Sequence, residues 1–438
     1  MKLFNQLFNK KLNYFNTLSL LFFSILPFSI IIGNASININ ILLIDILFLT
    51  YCLKFNEWKW VKRDVFLYLI IFYIFLVLNS FYSYFILFEN QKNFFWNDDS
   101  IVRSFLFIKY ILLVFAFSIL LTDDKILRLI HKSWLIILTI IILDVFFEKL
   151  LGRNILGYVS PDSSRIVSFF KDELIVGALI FCFGYTSTTF FIENNKKNKS
   201  ILPIILIFLL VPISIFITGE RSNFIKSLFL FLIIIFFLKK NKHNLNYKIL
   251  LVPVFFIISC FLIFSHTTLN KYTEIYKRFL VQSDVQKEIG EESTIWNNSR
   301  NIKYFSHYDA AIKIFQNYPI LGVGNKNFRK ECFKEEYFNE RILFSNTRCT
   351  THPHQIHFEI LSEHGFLGYF MVIAFIMWFI FKNLRIFMRN RNIYHLSNTT
   401  YLLIFFTPLL PGAGIFSTLN GTLFWVIFSL VYLDYEKK

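Results

Sequence analysis

Charge is scarce in this chain of 438 residues: Asp, Glu, Lys and Arg make up 17% of it. A disordered chain or a coiled coil needs far more. Cysteine is scarce too. Five residues do not make the framework of a disulfide-stapled mini-protein. Acids are outnumbered, 29 against 45 basic residues, for a net charge of +16. There is no internal repeat, no low-complexity tract and no HExxH sequence. The first apolar run lacks a small-residue cleavage signature, so no removable signal peptide is expected.

What fills the chain is apolar surface. Hydrophobic residues are 55%, aromatic residues 20% (58 of them Phe), and the mean hydropathy is +0.53. An ordinary soluble core cannot absorb such a surplus, whereas lipid can. A spanning helix needs ~20 apolar residues, which leaves room for about twelve spans and one insert. The candidates are Thr17–Ile32, Ile39–Leu53, Val65–Leu87, Ile101–Leu121, Leu129–Phe147, Ile166–Ile192, Ile201–Thr218, Phe224–Leu238, Ile249–Phe264, Phe366–Phe381, Thr399–Leu410 and Leu419–Tyr432. The expected fold is an all-α integral membrane protein. Helices 1–9 occupy residues 1–264, a mainly helical loop domain residues 265–363, and helices 10–12 residues 364–438.

Lys and Arg alternate between loops. Lys54, Lys59, Lys62 and Arg63 mark one side, with Lys125, Arg128, Lys196, Lys197, Lys239, Lys240, Lys382 and Arg385. The opposite short loops are poor in them: 33–38 has none, and Phe88–Asp99 has one Lys against three acids. The positive-inside rule then sets both termini in the cytoplasm and the long segment Ser265–Glu363 outside. With the basic surplus used for orientation, nucleic acid is not an expected partner. Cys52, Cys182 and Cys260 fall in or beside apolar runs, while Cys332 and Cys349 share the long segment, where pairing is open.

Some cations are left over on the outer side. Arg165 and Lys171 lie at the start of the sixth candidate, Arg221 and Lys226 at the turn before the eighth, Arg103 and Lys109 in the outer half of the fourth. Ionisable groups at such depth are costly and mark function, although snorkelling to headgroups is the plainer account of Arg103 and Lys109. Guanidinium forks bind phosphate bidentately, and a helix N-terminus beneath Arg165 or Arg221 favours an anion. A lipid diphosphate fits both features.

A second constellation is His352-Pro353-His354-Gln355-Ile356-His357-Phe358-Glu359, running on to His364 and Gly365. The histidine spacing does not match a common metal motif and no metal is expected. An imidazole held at the membrane surface suits proton transfer from a sugar hydroxyl instead. Gly365 and Gly368 read as packing positions, and Gly322 and Gly324 as a turn.

These features together resemble the O-antigen ligase and polymerase superfamily. His354 and Gly365 match the ligase pattern His-x10-Gly. Pro319-Ile320-Leu321-Gly322-Val323-Gly324-Asn325-Lys326-Asn327-Phe328 is similar to the family's G-x-G-x-x-x-F segment behind a loop helix. Arg221 sits in an Arg-x3-Leu context with Ile225 in place of Leu, and Arg165 precedes a small-aromatic run, followed here by Lys171-Asp172-Glu173-Leu174. The resemblance implies a C-type membrane glycosyltransferase in the bacterial inner membrane, with its active site on the periplasmic face. It implies an undecaprenyl-type polyprenyl-diphosphate glycan as donor, a lipid A–core acceptor, and no cofactor. Arg165 and Arg221 would neutralise the diphosphate and His354 would handle the acceptor hydroxyl. Lys171, Lys226, Arg103, Glu220 and Gln355 would be further substrate contacts. Inversion at the anomeric carbon is expected; a retaining path would need a carboxylate such as Glu220 or Glu359. A polymerase using the same donor and a protein O-oligosaccharyltransferase are the near alternatives. A transporter of an anion or lipid-linked glycan is the distant one, disfavoured by the lack of paired broken helices and the few midspan acids, Asp45 and Asp144 among them.

Overall fold

The computed structural model describes residues 14–88, 98–162, 165–171, 173–195, 202–240, 303–342, 344–412 and 414–436. The ninth candidate, Ile249–Phe264, and residues 265–302 of the loop domain lie outside the described residues, as do Ser163, Ser164 and Asp172.

All secondary structure among the described residues is helical. The chain runs α1 (Tyr14–Ser24), α2 (Leu26–Ile32), α3 (Asn34–Phe55), α4 (Asp64–Tyr82), α5 (Asp99–Leu106), α6 (Ile108–Leu120) and α7 (Asp124–Leu151). It continues through α8 (Val176–Asn194), α9 (Leu202–Ile217), α10 (Arg221–Lys240), α11 (Lys303–Asn317), α12 (Phe328–Glu331), α13 (Ile356–Asn390), α14 (Ile393–Phe405) and α15 (Thr418–Glu436). Among the described residues, six stretches are long and apolar enough to cross a membrane, and the α1–α2 pair, bent by 42°, makes a seventh. The break falls at Pro27, which has no N–H to continue the helix.

Outer faces carry bare apolar side chains, with Ile46, Ile71, Ile140, Leu232 and Phe370 all about half exposed or more. Water would not tolerate that surface; lipid does. The interior holds the polar groups instead, such as Asn40, Asp45 and Asp144. α8 sits at the centre, against α7, α9, α10, α14 and α15. Small residues make that possible: a Cβ on Gly184 would press on Val211 of α9. Thr188 and Thr189 fold their hydroxyls back onto Gly184 and Tyr185 carbonyls, 2.5 Å away each, so neither of these two donors is stranded in the core.

The described part of the long loop lies over α4, α5 and α13. α11 is amphipathic and ends at Asn317-Tyr318-Pro319. With Val323, Phe328, Cys332 and Tyr337 it forms a small core of its own around Ala310, Ala311 and Ile314. Cys332 and Cys349 are bonded. Arg348 donates to the carbonyls of Cys332 (2.9 Å), Phe333 (3.1 Å) and Lys334 (3.2 Å), which closes the loop on itself.

One crossing joins this loop to the bundle. At Gly365 α13 breaks, with φ +62° and ψ −166°. There the strip Pro319–Gly324 lies against the helix: Phe366 and Leu367 donate to Pro319 (2.7 Å) and Ile320 (3.2 Å), and Val323 and Gly324 donate to Ser362 (3.0 Å) and Glu363 (2.8 Å). A Cβ on Gly365 would strike the Ile320 carbonyl. Gly322 and Gly324, with φ +66° and +89°, turn the strip; the first lets it approach the α13 backbone at Glu363 and His364, the second lets it pass Ser83. Gly365→Ala should therefore lower the stability of the detergent-solubilised protein by at least ~1–3 kcal/mol, the cost of a strained backbone position. A thermal melt of Gly365→Ala beside Gly157→Ala checks it: Gly157 shares the positive φ (+84°) but its Cβ meets nothing, so Gly365→Ala should lose more by the clash with Ile320.

Candidate functional site

Two turns bring the leftover cations to one end of the bundle. Thr218–Glu220 links α9 to α10, and Arg221 is the first residue of α10, at the donor-rich helix start. Ile166 donates to the Thr218 carbonyl (3.2 Å), which sets Arg165 beside the same turn. The Ser222 hydroxyl donates to the Pro411 carbonyl, and Gly412 donates to the carbonyl of His354 (2.7 Å). The α10 start, the Pro411–Gly412 loop and His354 are thus joined in series. Lys226 is buried one turn into α10. With Asn223, Tyr401, Pro411, Gly412 and Asn420 it lines a cavity of about 80 Å³.

Glu220 is a brace for this turn. Its carboxylate accepts from Gly177 N–H (2.6 Å) and from the Asn223 amide (2.6 Å). Burial pushes its pKa up to about 7, against the pull of these donors and of the Arg165 charge.

Arg165 corrects an expectation. The sixth candidate does not begin as a helix at Arg165; α8 begins at Val176. The intervening stretch is pinned by α7: Glu148 accepts from the N–H groups of Val167 (3.1 Å) and Ser168 (2.6 Å), and Asp144 accepts the Ser168 hydroxyl (2.5 Å). Ser168 and Lys171 adopt φ of +49° and +53°, which no helix allows. The helix-dipole argument therefore holds for Arg221 and fails for Arg165. Lys171 turns over the Tyr158 ring, 5.3 Å from its centroid, beside an apolar groove with Phe28 and Ile137.

The four histidines of 352–364 diverge. His357 meets the Tyr369 hydroxyl (3.1 Å) and the Phe406 carbonyl (2.8 Å). His364 is buried against Phe416 and Phe75. Gln355 caps α13, accepting from His357 (2.7 Å) and Phe358 (3.2 Å) N–H groups, so its side chain serves the helix start. His352 and His354 face each other at 4.4 Å between ring centroids, with His307 and Tyr304 each 5.4 Å from His354. His307 and Tyr304 come from α11, about 50 positions away, and spacing arguments did not reach them. Burial pushes His354 down to about 3 and His352 to about 4, with the neighbouring imidazoles adding to the His354 shift. These rings are neutral at physiological pH. His354 holds φ +57°, a left-handed position that its neighbours impose.

Beneath them lies an ion pair that sequence reading missed. Lys326, in the middle of the Gly-rich strip, is 3% exposed and donates to Glu359, which is fully buried. Glu359 is therefore spent on Lys326 and is a poor nucleophile. Glu363, one turn on, has both carboxylate oxygens buried with no hydrogen-bond partner among the described residues. Arg103 is elsewhere: its Nε is 2.6 Å from Asp99, in a different cavity. Gly368 packs on Phe75 and the His364 side chain.

Residues 205–373 match the family model described as O-antigen ligase. The match covers less than half of the chain, and over that stretch the chain is similar to the O-antigen ligase family. The matched segment runs from α9 past the Gly365 break, so it contains Arg221, Lys226, Lys326, His354 and Glu359 and leaves Arg165 and Arg103 outside. No curated protein matches the chain. The match supports glycan transfer of the ligase or polymerase type, and with the apolar helices it supports a multi-pass membrane protein.

Two outcomes test the electrostatics. Glu359→Leu, leaving Lys326 buried and unpaired, should cost about 3–5 kcal/mol, and adding Lys326→Met should recover most of it; urea or thermal denaturation of the four proteins measures this. Acidification supplies the other. The unfolded chain protonates its histidines below pH ~6.5 while the folded His352 and His354 resist until about 4 and about 3, so they withdraw stability as pH falls through that window. The melting temperature of His352→Gln/His354→Asn should accordingly drop less than that of the wild type between pH 7 and pH 5.

Proposed function

We propose that this chain transfers a glycan from a polyprenyl-diphosphate carrier to an acceptor hydroxyl at the outer face of the bacterial inner membrane. The favoured acceptor is lipid A–core, which makes the chain an O-antigen ligase. The observation that carries the proposal is the series Arg221/Ser222–Pro411–Gly412–His354, which couples a cationic helix start to a neutral imidazole, both inside the matched residues 205–373, through a loop that lies beyond them. The Cys332–Cys349 bridge supports an oxidising compartment for the loop, and the Lys/Arg alternation supports its outward orientation.

In this reading the acceptor oxygen attacks the anomeric carbon from the face opposite the diphosphate. The bond from that carbon to the diphosphate oxygen breaks, and its electron pair leaves with the diphosphate. Arg221, with Arg165 and Lys226 beside it, stabilises the charge that develops there, and fixed cations in a poorly solvated site need little reorganisation to do so. The acceptor proton passes to His354. A base held near 3 in the free protein is weak, and the arriving diphosphate supplies the negative charge that raises it.

In cells deleted for the gene, Arg221→Ala and His354→Ala should insert normally but fail to restore glycan-capped lipopolysaccharide, with a rate loss of roughly 10²–10³ for each. Arg221→Lys should recover part of it, because an ammonium keeps the charge without the fork. Wild-type-like capping by His354→Ala removes that residue from the mechanism. The carrier decides between ligase and polymerase: long chains accumulating on it mean the former, single repeat units the latter.

A further inference from the structure

A second polar cavity opens at the same end of the bundle. It holds about 280 Å³ between α3, the α5–α6 break, the start of α15 and the Gly-rich strip of the loop. Ligand pockets start near ~300 Å³, so this one suits a single sugar ring rather than a chain. Its wall presents amides from Asn34, Asn38 and Asn325, the cations Arg103 and Lys109, and the Phe416 ring. Amides that donate and accept, set beside an aromatic face, are groups that bind sugar hydroxyls and the apolar face of a ring.

The charges favour an anion on that sugar. Arg103 and Arg329 share Asp99, at 2.6 and 3.4 Å. Lys109 donates to Asn38 (2.5 Å) and lies 4.8 Å from the Tyr110 centroid, with Asp45 the carboxylate facing it from deeper on α3. Of the charged groups that line the cavity, Arg103 and Lys109 stand against Asp99 alone, so the wall keeps a positive surplus.

One group on the wall has no partner. Asn325 is 1% exposed; its amide nitrogen donates to Ser104 (2.9 Å), and its Oδ1 accepts nothing among the described residues. A buried acceptor left bare costs about 1–3 kcal/mol, and a ligand hydroxyl in the cavity would relieve it. Asn325 also precedes Lys326, the partner of Glu359, and Phe416 stands 5.9 Å from Lys326 and 4.9 Å from His364. The cavity therefore shares its wall with the ion pair beneath His352 and His354.

We propose that this cavity is a carbohydrate subsite for a saccharide carrying a carboxylate or a phosphate, distinct from the Arg221–His354 site and gripped by Asn325, Arg103 and Lys109. The choice of a saccharide rests on the glycan-transfer reading; the anionic requirement rests on the wall itself. The test uses the full chain in nanodiscs, with D-glucuronate, D-glucose 6-phosphate, D-glucose and inorganic phosphate as probes in saturation-transfer NMR. Glucuronate or glucose 6-phosphate should bind at least tenfold tighter than glucose and than phosphate, and the tighter of the two names the anion. Lys109→Gln and Asn325→Ala should each weaken that binding at least tenfold, whereas His354→Ala should leave it intact. Equal binding of glucose and its anionic relatives, no saturable binding by the wild type, or full binding by Lys109→Gln overturns the proposal. The wild-type comparison needs no variant, so misfolding of Asn325→Ala does not shelter it. A protein that transfers glycan yet binds neither anionic sugar sinks the subsite and keeps the transfer reading; one that binds glucuronate yet transfers nothing sinks the transfer reading and keeps the subsite.

Discussion

A backbone crossing holds the site together. Where Gly365 leaves α13 open, the strip Pro319–Gly324 lies directly on the helix, and four main-chain hydrogen bonds close the contact. Side chains cannot enter there, because the two backbones are too close for a Cβ. The crossing fixes the loop relative to the helix bundle. It also sets Lys326 over Glu359, and that places the neutral histidine pair above them. The bridge between Cys332 and Cys349 tightens the loop outside the crossing.

The energetic character of this region is polar burial in a chain otherwise ruled by apolar packing. A lysine, two glutamates and a histidine are withdrawn from water within a few residues of each other: Lys326, Glu359, Glu363 and His364. Lys326 pairs with one carboxylate oxygen of Glu359, while the other Glu359 oxygen, Glu363 and Asn325 keep bare acceptors. Such groups lower the stability of the resting protein. A protein whose partner is a charged, hydroxyl-rich molecule gains binding free energy by keeping them, since the ligand supplies the missing donors. The same trade explains why His354 is tolerated at a left-handed backbone position beside two other imidazoles.

Local sequence carried a good part of this far. Apolar runs of spanning length, the Lys/Arg alternation, the end of α11 at Asn317-Tyr318-Pro319 and the helix after Pro353 were all legible, because periodicity and proline act over a few residues. Arg221 and Lys226 were legible as cations with no orienting duty. Gly365 was read as a packing glycine, and it is one, although the packing is against a strip more than forty positions earlier. The start of α8 was not legible: Ile166–Phe170 is as apolar as any helix, and what unwinds it is the pair of α7 carboxylates, Asp144 and Glu148, that capture its backbone.

Hydropathy by itself determined that this chain is helical and that it belongs in lipid, since both follow from the free energy of moving side chains between water and hydrocarbon. Only the tertiary structure decided that Lys326 neutralises Glu359, that Gln355 is a cap, that His307 and Tyr304 stand beside His354 while His357 and His364 turn away, and that Arg103 lines a cavity apart from Arg221. Those outcomes depend on distances between segments far apart in the chain, and spacing along one segment carries no information about what another segment brings to it.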